Sequence, residues 1–440
     1  MPDPKSLLHL SAAKRALLEE LKKDRQITGP TATIRRQEPP FDAPSFAQER
    51  LWFVDRLAGS AAYHMAGAFD VAGRLDVDAL RLAVRDVVRR HEPLRSRIVE
   101  VDGRPVVRAD AEIDLEVLTV DEAREPLEQS LAREAHAPFD LATGPLVRVK
   151  LFVLGAERYA LSAVMHHAVC DGWSVGVFAD ELARAYAARA RGAAPALPEL
   201  AIRYSDYARW QRDALSSGAA EAALAYFRQH LAGAPADTAL PHDGGLEASP
   251  EAPPVGTVLL DVPVELDAAL RRFSASEGVS PFVTLFAAYS ATIARFANQE
   301  AVVVGTPVAN RELAETRSLI GLFANLLAVH TSLAARPSFR ELVRTTRRHV
   351  VDALTHQALP FEKLVEALAP DRQLGRTPLF QTVFAFEPTP LASIDLAGAR
   401  ATPRDVAPSA AKFELTLTMR DAGGRLSGTL EYASPRLRAS

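Results

Sequence analysis

Residues 158–165 are rich in apolar side chains and free of glycine and proline, the pattern of a buried strand. An Asp171-Gly172 pair then signals a turn. Beyond it Val175, Phe178, Leu182 and Tyr186 recur at helical spacing, with Ser174 placed to cap the helix start. Upstream, Leu80, Val84, Val87, Val88 and His91 share one helix face, and Asp76 stands at its N-cap. Residues 98–107, broken by Asp102-Gly103, read as a β-hairpin. Residues 138–153 lead into a strand that pairs with the one before His166. The second half keeps this α/β style, with strands at 258–262 and 301–304. A long apolar helix starts at Ser280-Pro281, with Ser as cap and Pro at its first position. A closing hairpin joins 413–419 to 426–432 across Gly423-Gly424.

Two stretches interrupt the pattern. Residues 5–25 form a short amphipathic helix with Leu17, Leu18 and Leu21 as its stripe, followed by a polar, Pro-containing linker to residue 40. Residues 233–254 are rich in Pro and Gly and read as a surface excursion. The lobe boundary is placed near 216–218.

Composition narrows the class. The 440 residues are 48% hydrophobic and 24% charged, as in a globular protein of two or three cores. A net charge of −4 gives no footprint for nucleic acid. No apolar run reaches transmembrane length, and the first residues are charged rather than signal-like. A single Cys excludes an internal disulfide and fits a reducing, cytoplasmic compartment.

The candidate chemistry lies at His166-His167. Neighbouring residues on an extended chain face opposite ways, so one histidine can face a cleft while the other packs. A neutral imidazole accepts a proton near pH 7. Asp171 either orients a histidine or holds the turn through a buried ion pair. Cys170 reads as an activated nucleophile or as a small buried hydrophobe. The adjacent histidines lack the i, i+4 spacing of a helical zinc site, and no metal is implied.

The run His166-His167-Ala168-Val169-Cys170-Asp171-Gly172 resembles the HHxxxDG signature of condensation domains of nonribosomal peptide synthetases, members of the chloramphenicol-acetyltransferase-like superfamily. Six further stretches resemble that family's other core motifs, in order. They are Ser45-Phe46-Ala47-Gln48-Glu49-Arg50-Leu51-Trp52-Phe53, Arg90-His91-Glu92-Pro93-Leu94-Arg95 and Tyr204-Ser205-Asp206-Tyr207-Ala208-Arg209-Trp210. The others are Ile320-Gly321-Leu322-Phe323-Ala324-Asn325, His356-Gln357-Ala358-Leu359-Pro360-Phe361-Glu362, and the stretch from Arg372 to Gln381, which carries Thr377 where Asn is usual. The resemblance covers about residues 44–432. Residues 195–200 and the run Asp171-Gly-Trp-Ser look most like the subclass that takes an L-configured donor.

The resemblance implies an α/β fold of two chloramphenicol-acetyltransferase-like lobes in a V-shaped pseudo-dimer, with the active site in the cleft between them. Residues 1–40 would be the leading helix and linker, 41–217 the first lobe and 218–440 the second, its final helix truncated at Ser440. It implies amide formation between a donor acyl or peptidyl thioester and the amine of an acceptor aminoacyl thioester. Both would ride on phosphopantetheine arms of donor and acceptor peptidyl carrier proteins, among adjacent synthetase domains. The domain itself would bind no cofactor, and its partners would include neither nucleic acid nor membrane. In this reading His167 is a base or a hydrogen-bonding holder of the amine, and His166 packs beside it. Asp171 pairs with Arg311, Gly172 permits a tight turn or close ligand approach, and Arg90 and Arg95 support the site. The rival readings are an acyltransferase using a soluble acyl thioester, a recruitment module without catalysis, and an epimerisation domain. The sixth and seventh motifs speak against the last.

Overall fold

A computed structural model describes residues 33–433 and 437, apart from 60, 123, 217, 242–254, 370–376, 388–390, 407 and 409. The expected helix at 5–25, most of the expected excursion and residues 372–376 of the seventh motif lie outside these residues.

The strands are β1 (His64–Gly73), β2 (Arg97–Val101), β3 (Arg104–Arg108), β4 (Leu115–Thr119), β5 (Val147–Gly155), β6 (Arg158–His166), β7 (Val255–Asp261), β8 (Ala301–Val308), β9 (Asn325–Ser332), β10 (Thr382–Glu387), β11 (Ile394–Asp395), β12 (Ala399–Arg404), β13 (Leu415–Ala422) and β14 (Arg425–Ala433). They form two six-stranded sheets, β11-β12-β1-β6-β5-β4 and β7-β14-β13-β10-β8-β9, with β2 and β3 as a separate hairpin.

The helices are α1 (Phe46–Ala58), α2 (Val77–Arg90), α3 (Leu127–His136), α4 (Gly172–Arg189), α5 (Tyr204–Ser216), α6 (Ala219–His230), α7 (Val264–Ser276), α8 (Pro281–Phe296), α9 (Phe339–Thr355) and α10 (Phe361–Leu368). In the first half α2 and α4 supply Leu80, Val84, Val87, Phe178, Leu182 and Tyr186 to one core with Leu151, Leu161 and Val164 of the sheet. Leu127 and Leu131 of α3 pack separately with Phe152 and Ala160. Helices on both faces leave β6 no solvated side, which is why 158–165 reads as a near-continuous apolar run. In the second half Phe286, Val304, Val329, Val343 and Phe384 build the equivalent core from α8, β8, β9, α9 and β10.

Two expectations at the start of α4 are corrected. Asp171, not Ser174, is the N-cap of α4: its side chain accepts from Ser174 N, because only the residue still in extended backbone can reach back to the first free amides. Asp171-Gly172 is therefore a helix start rather than a turn. Ser280 does stand at the N-cap of α8 with Pro281 behind it, but its side chain makes no capping hydrogen bond. A strand from late in the chain joins the first sheet. β12 returns to the first sheet and pairs antiparallel with β1, from Ala68↔Arg404 to Gly73↔Ala399. Arg404 Nε adds an ion pair to Asp70 at 2.7 Å. β1 would otherwise be a long open edge, and an open edge invites pairing.

Candidate active site

The ladder between β1, β6 and β5 ends at the histidines. His166 N donates to Leu146 O (2.9 Å) and His167 N to Tyr63 O (2.8 Å). The chain then folds tightly, with Val169 N donating to His166 O at 3.0 Å and Cys170 N to His167 O at 3.4 Å. Ala168 N donates to His166 Nδ1 at 3.1 Å, which turns this imidazole back on its own turn. From outside, Gln48 of α1 donates through Nε2 to Ala168 O at 2.9 Å. Gln48 is itself held by a capping box with Ser45, so the first motif braces the turn of the third.

The two rings have different surroundings. His166 is fully buried. His167 is half-buried, and its Nδ1 lies 2.8 Å from Cys170 O. A carbonyl only accepts, so Nδ1 carries the proton and Nε2 carries the lone pair. Burial, then the Lys412 ammonium, push the His167 imidazolium down to about 3, against a smaller opposing pull from Asp171. Burial, with the charges of His64, His167 and Lys412, does the same to His166. Both rings are neutral at neutral pH.

Asp171 does not touch His167. Its Oδ1 accepts from Ser174 N (2.8 Å), Ser174 Oγ (2.7 Å) and Arg311 Nη2 (2.9 Å). Its Oδ2 accepts from Phe323 N (3.0 Å) and Ala324 N (3.2 Å). Arg311 also donates to Thr316 O at 2.6 Å and Leu319 O at 2.7 Å, and its guanidinium lies 4.1 Å from the Phe323 ring centroid. Both side chains are 1% exposed. This latch joins the end of the first sheet to the segment before β9. Gly321 sits within it because a Cβ there would fall 2.2 Å from the Tyr204 ring.

The other expected residues separate. Arg90 pairs with Glu181 (3.1 Å), which also meets His91 Nε2 (2.7 Å), and His91 Nδ1 accepts from Ile320 N at 3.3 Å. Arg90 thus supports the latch through two intermediates. Arg95 donates to Ala109 O beyond the hairpin, and none of its described contacts reaches the histidine turn. Gly172 has no left-handed backbone, and a Cβ there would meet nothing within 4 Å. The tight-turn reason for this glycine is therefore corrected, and open space in front of the helix start remains.

Sequence reasoning missed a second junction beside His167. Arg50 of α1 pairs with Glu362 of α10 at 2.9 Å, and its guanidinium lies 5.9 Å from the Tyr63 ring. Lys412 Nζ lies 5.8 Å from the same ring. The Lys412 side chain is solvent-exposed, and the Glu431 carboxylate and the Arg50 guanidinium act on its ammonium in opposite directions. Asn325 fixes the loop before Glu362 by donating to Gln357 O (2.8 Å) and Leu359 O (2.7 Å) and accepting from Phe361 N (3.0 Å). Arg50, Asn325 and Glu362 all stood in motifs, but nothing in a linear pattern pairs residues so far apart.

Residues 43–437 match the family model described as "Condensation domain". The chain is 39% identical over 398 residues to a linear gramicidin synthase of Brevibacillus parabrevis, covering 88% of this chain and 8% of that one. It is 38% identical over 440 residues to phosphinothricin tripeptide synthetase PhsB of Streptomyces viridochromogenes, covering 96% of this chain and 37% of the relative. The crystal structure of the X-domain from teicoplanin biosynthesis superposes with a TM-score of 0.85 at 29% identity, covering 92% of this chain and 93% of that one. The chain spans well under half the length of the two synthetases.

Proposed function

The chain belongs to the condensation-domain family, with its two-lobed, V-shaped chloramphenicol-acetyltransferase-like fold, and we propose that it joins two carrier-bound substrates by an amide bond at His167. The observation that carries this reading is the fixed tautomer of His167. Its Nδ1 proton is committed to Cys170 O, so its Nε2 lone pair is free for a substrate N–H.

The acceptor is the amine of an aminoacyl thioester, and the donor is an acyl or peptidyl thioester of L configuration. Each hangs on the phosphopantetheine arm of a carrier protein, within a larger synthetase in the cytoplasm. The amine nitrogen attacks the donor carbonyl carbon. A C–N bond forms, the C–S bond breaks, and the thiolate leaves to collect the proton that the amine gives up. His167 Nε2 accepts a hydrogen bond from the attacking amine and orients its lone pair. A group this hard to protonate is a weak base, so holding two tethered reactants in place carries most of the acceleration. Asp171 and Arg311 hold the turn and take no proton, and Gly172 leaves room for the acceptor arm.

The test incubates the chain with separate carrier proteins loaded with acyl and aminoacyl groups. Intact-protein mass spectrometry is expected to show the acceptor carrier gaining the donor acyl mass while the donor carrier loses it. Transfer that needs no donor carrier and runs as well from a soluble acyl thioester would sink this reading.

A further inference from the structure

A third histidine lies behind the pair. His64 on β1 stands directly opposite His166 on β6 in the strand register. Their ring centroids are 6.1 Å apart at 68°. Phe139 closes the group, 5.0 Å from His64 and 6.1 Å from His166, and Arg148 covers the Phe139 face at 3.7 Å.

The hydrogen bonds give the two rings opposite tautomers. His64 Nδ1 lies 2.9 Å from Ala135 O, in the last turn of α3. That oxygen only accepts, so His64 carries its proton on Nδ1 and a lone pair on Nε2. His166 Nδ1 accepts from Ala168 N, so His166 carries its proton on Nε2. Both Nε2 atoms are buried, and neither has a hydrogen-bond partner among the described residues, the other ring included. One is a donor and the other an acceptor. Buried polar atoms that do not pair directly are commonly bridged by a water, and a water between these two would accept from one and donate to the other.

We propose that His64 is a positioning residue for the condensation, fixing the tautomer of His166 and through it the turn that presents His167. This rests on the role given to His167 above. With the other tautomer, His166 Nδ1–H would face the Ala168 N–H, and the two donors would push the turn open. His64 passes no proton forward, because His166 Nδ1 is already occupied by a backbone amide. Burial lowers the pKa of His64 and of His166, which favours the neutral rings, and the hydrogen bonds to Ala135 O and from Ala168 N choose the tautomer of each.

The experiment records nitrogen NMR spectra of the full chain labelled with [15N]histidine, with His166 assigned by its loss in His166→Gln. In the unmodified chain His166 is expected to be protonated on Nε2 and His64 on Nδ1. His64→Phe keeps the bulk and removes the acceptor. It should lose the single His166 tautomer and lower kcat about ten- to a hundred-fold, the scale of a small misplacement, with KM for both carriers unchanged. His64→Asn, which has both a donor and an acceptor, should restore the tautomer and most of kcat. A folded His64→Phe with the His166 signature and kcat intact overturns the proposal. So does an unmodified chain with His166 protonated on Nδ1 or His64 on Nε2, which decides the matter even if His64→Phe does not fold. The tautomers are read without turnover, so a chain that forms no amide while showing this pair would count against the proposed function and leave the pairing standing.

Discussion

Among the described residues five donors converge on the Asp171 carboxylate, and none of them is a histidine. The reactive end of His167 is defined instead by the backbone of its own turn. His167→Ala is therefore expected to lower amide formation by about two to four powers of ten, the range for losing a positioned acid–base group. Single-turnover assays with loaded carriers check this, and near-normal turnover in a folded variant would remove His167 from the mechanism. Cys170 behaves as a hydrophobe. It is fully buried, and burial, with Asp171 beside it, pushes its thiol well up, away from the reactive thiolate. Cys170→Ala and Cys170→Ser should keep activity within a few-fold. Peptide mass spectrometry without acceptor should find no acyl group on Cys170. At this scale the sequence shows which residues carry chemistry, since the His-His spacing already assigns one ring to packing. It hides His64 and Lys412, which reach the site only through strand pairing and folding.

The strand β6, its turn and helix α4 work as one unit because Asp171 serves two elements at once. It caps α4 and it binds Arg311 across the molecule. Asp171→Ala strands a buried guanidinium and uncaps the helix, and the loss is expected to be about 3 to 5 kcal/mol. Chemical denaturation or a fall in melting temperature checks it, while a stable but inactive variant would make Asp171 catalytic. The existence of these elements was legible from periodicity: Leu80, Val84 and Val87 do face the core beneath Asp76. The cap was misread because Ser174 and Asp171 are both good capping residues, and the choice between them is made by where the backbone leaves the extended state. The two motif arginines part company for a related reason. Arg90 faces Glu181 on α4, whereas Arg95 lies past the helix end and turns toward the hairpin.

Across the whole molecule, buried neutral histidines set the response to acid. In the second half His230 Nε2 accepts from His330 N at 3.0 Å, and His349 Nδ1 lies 2.9 Å from His330 O. Burial, then the neighbouring His349 and His330, hold His230 down to about 4, and burial also lowers His330. An unfolded histidine titrates near 6.5, so below that pH the unfolded chain takes up protons that the folded one refuses. Stability is therefore full above about pH 6.5 and falls toward pH 4. Melting curves at pH 7 and pH 5 should show this drop, and His230→Gln should show a smaller one. A pH-independent melting temperature would count against it. The two-lobed architecture was legible from the motif order, but the return of β12 to the first sheet was not, because no local pattern tells a strand which of two sheets it will join.

That returning strand bears on how relatives are recombined. A chimera that switches parents once, near residue 217, pairs β1 of one parent with β12 of the other, along an edge where Asp70 must meet Arg404. The inheritable unit for the first sheet is discontinuous, residues 33–216 together with 391–406. Exchanging both pieces keeps the seam within one parent, and exchanging only the first splits it.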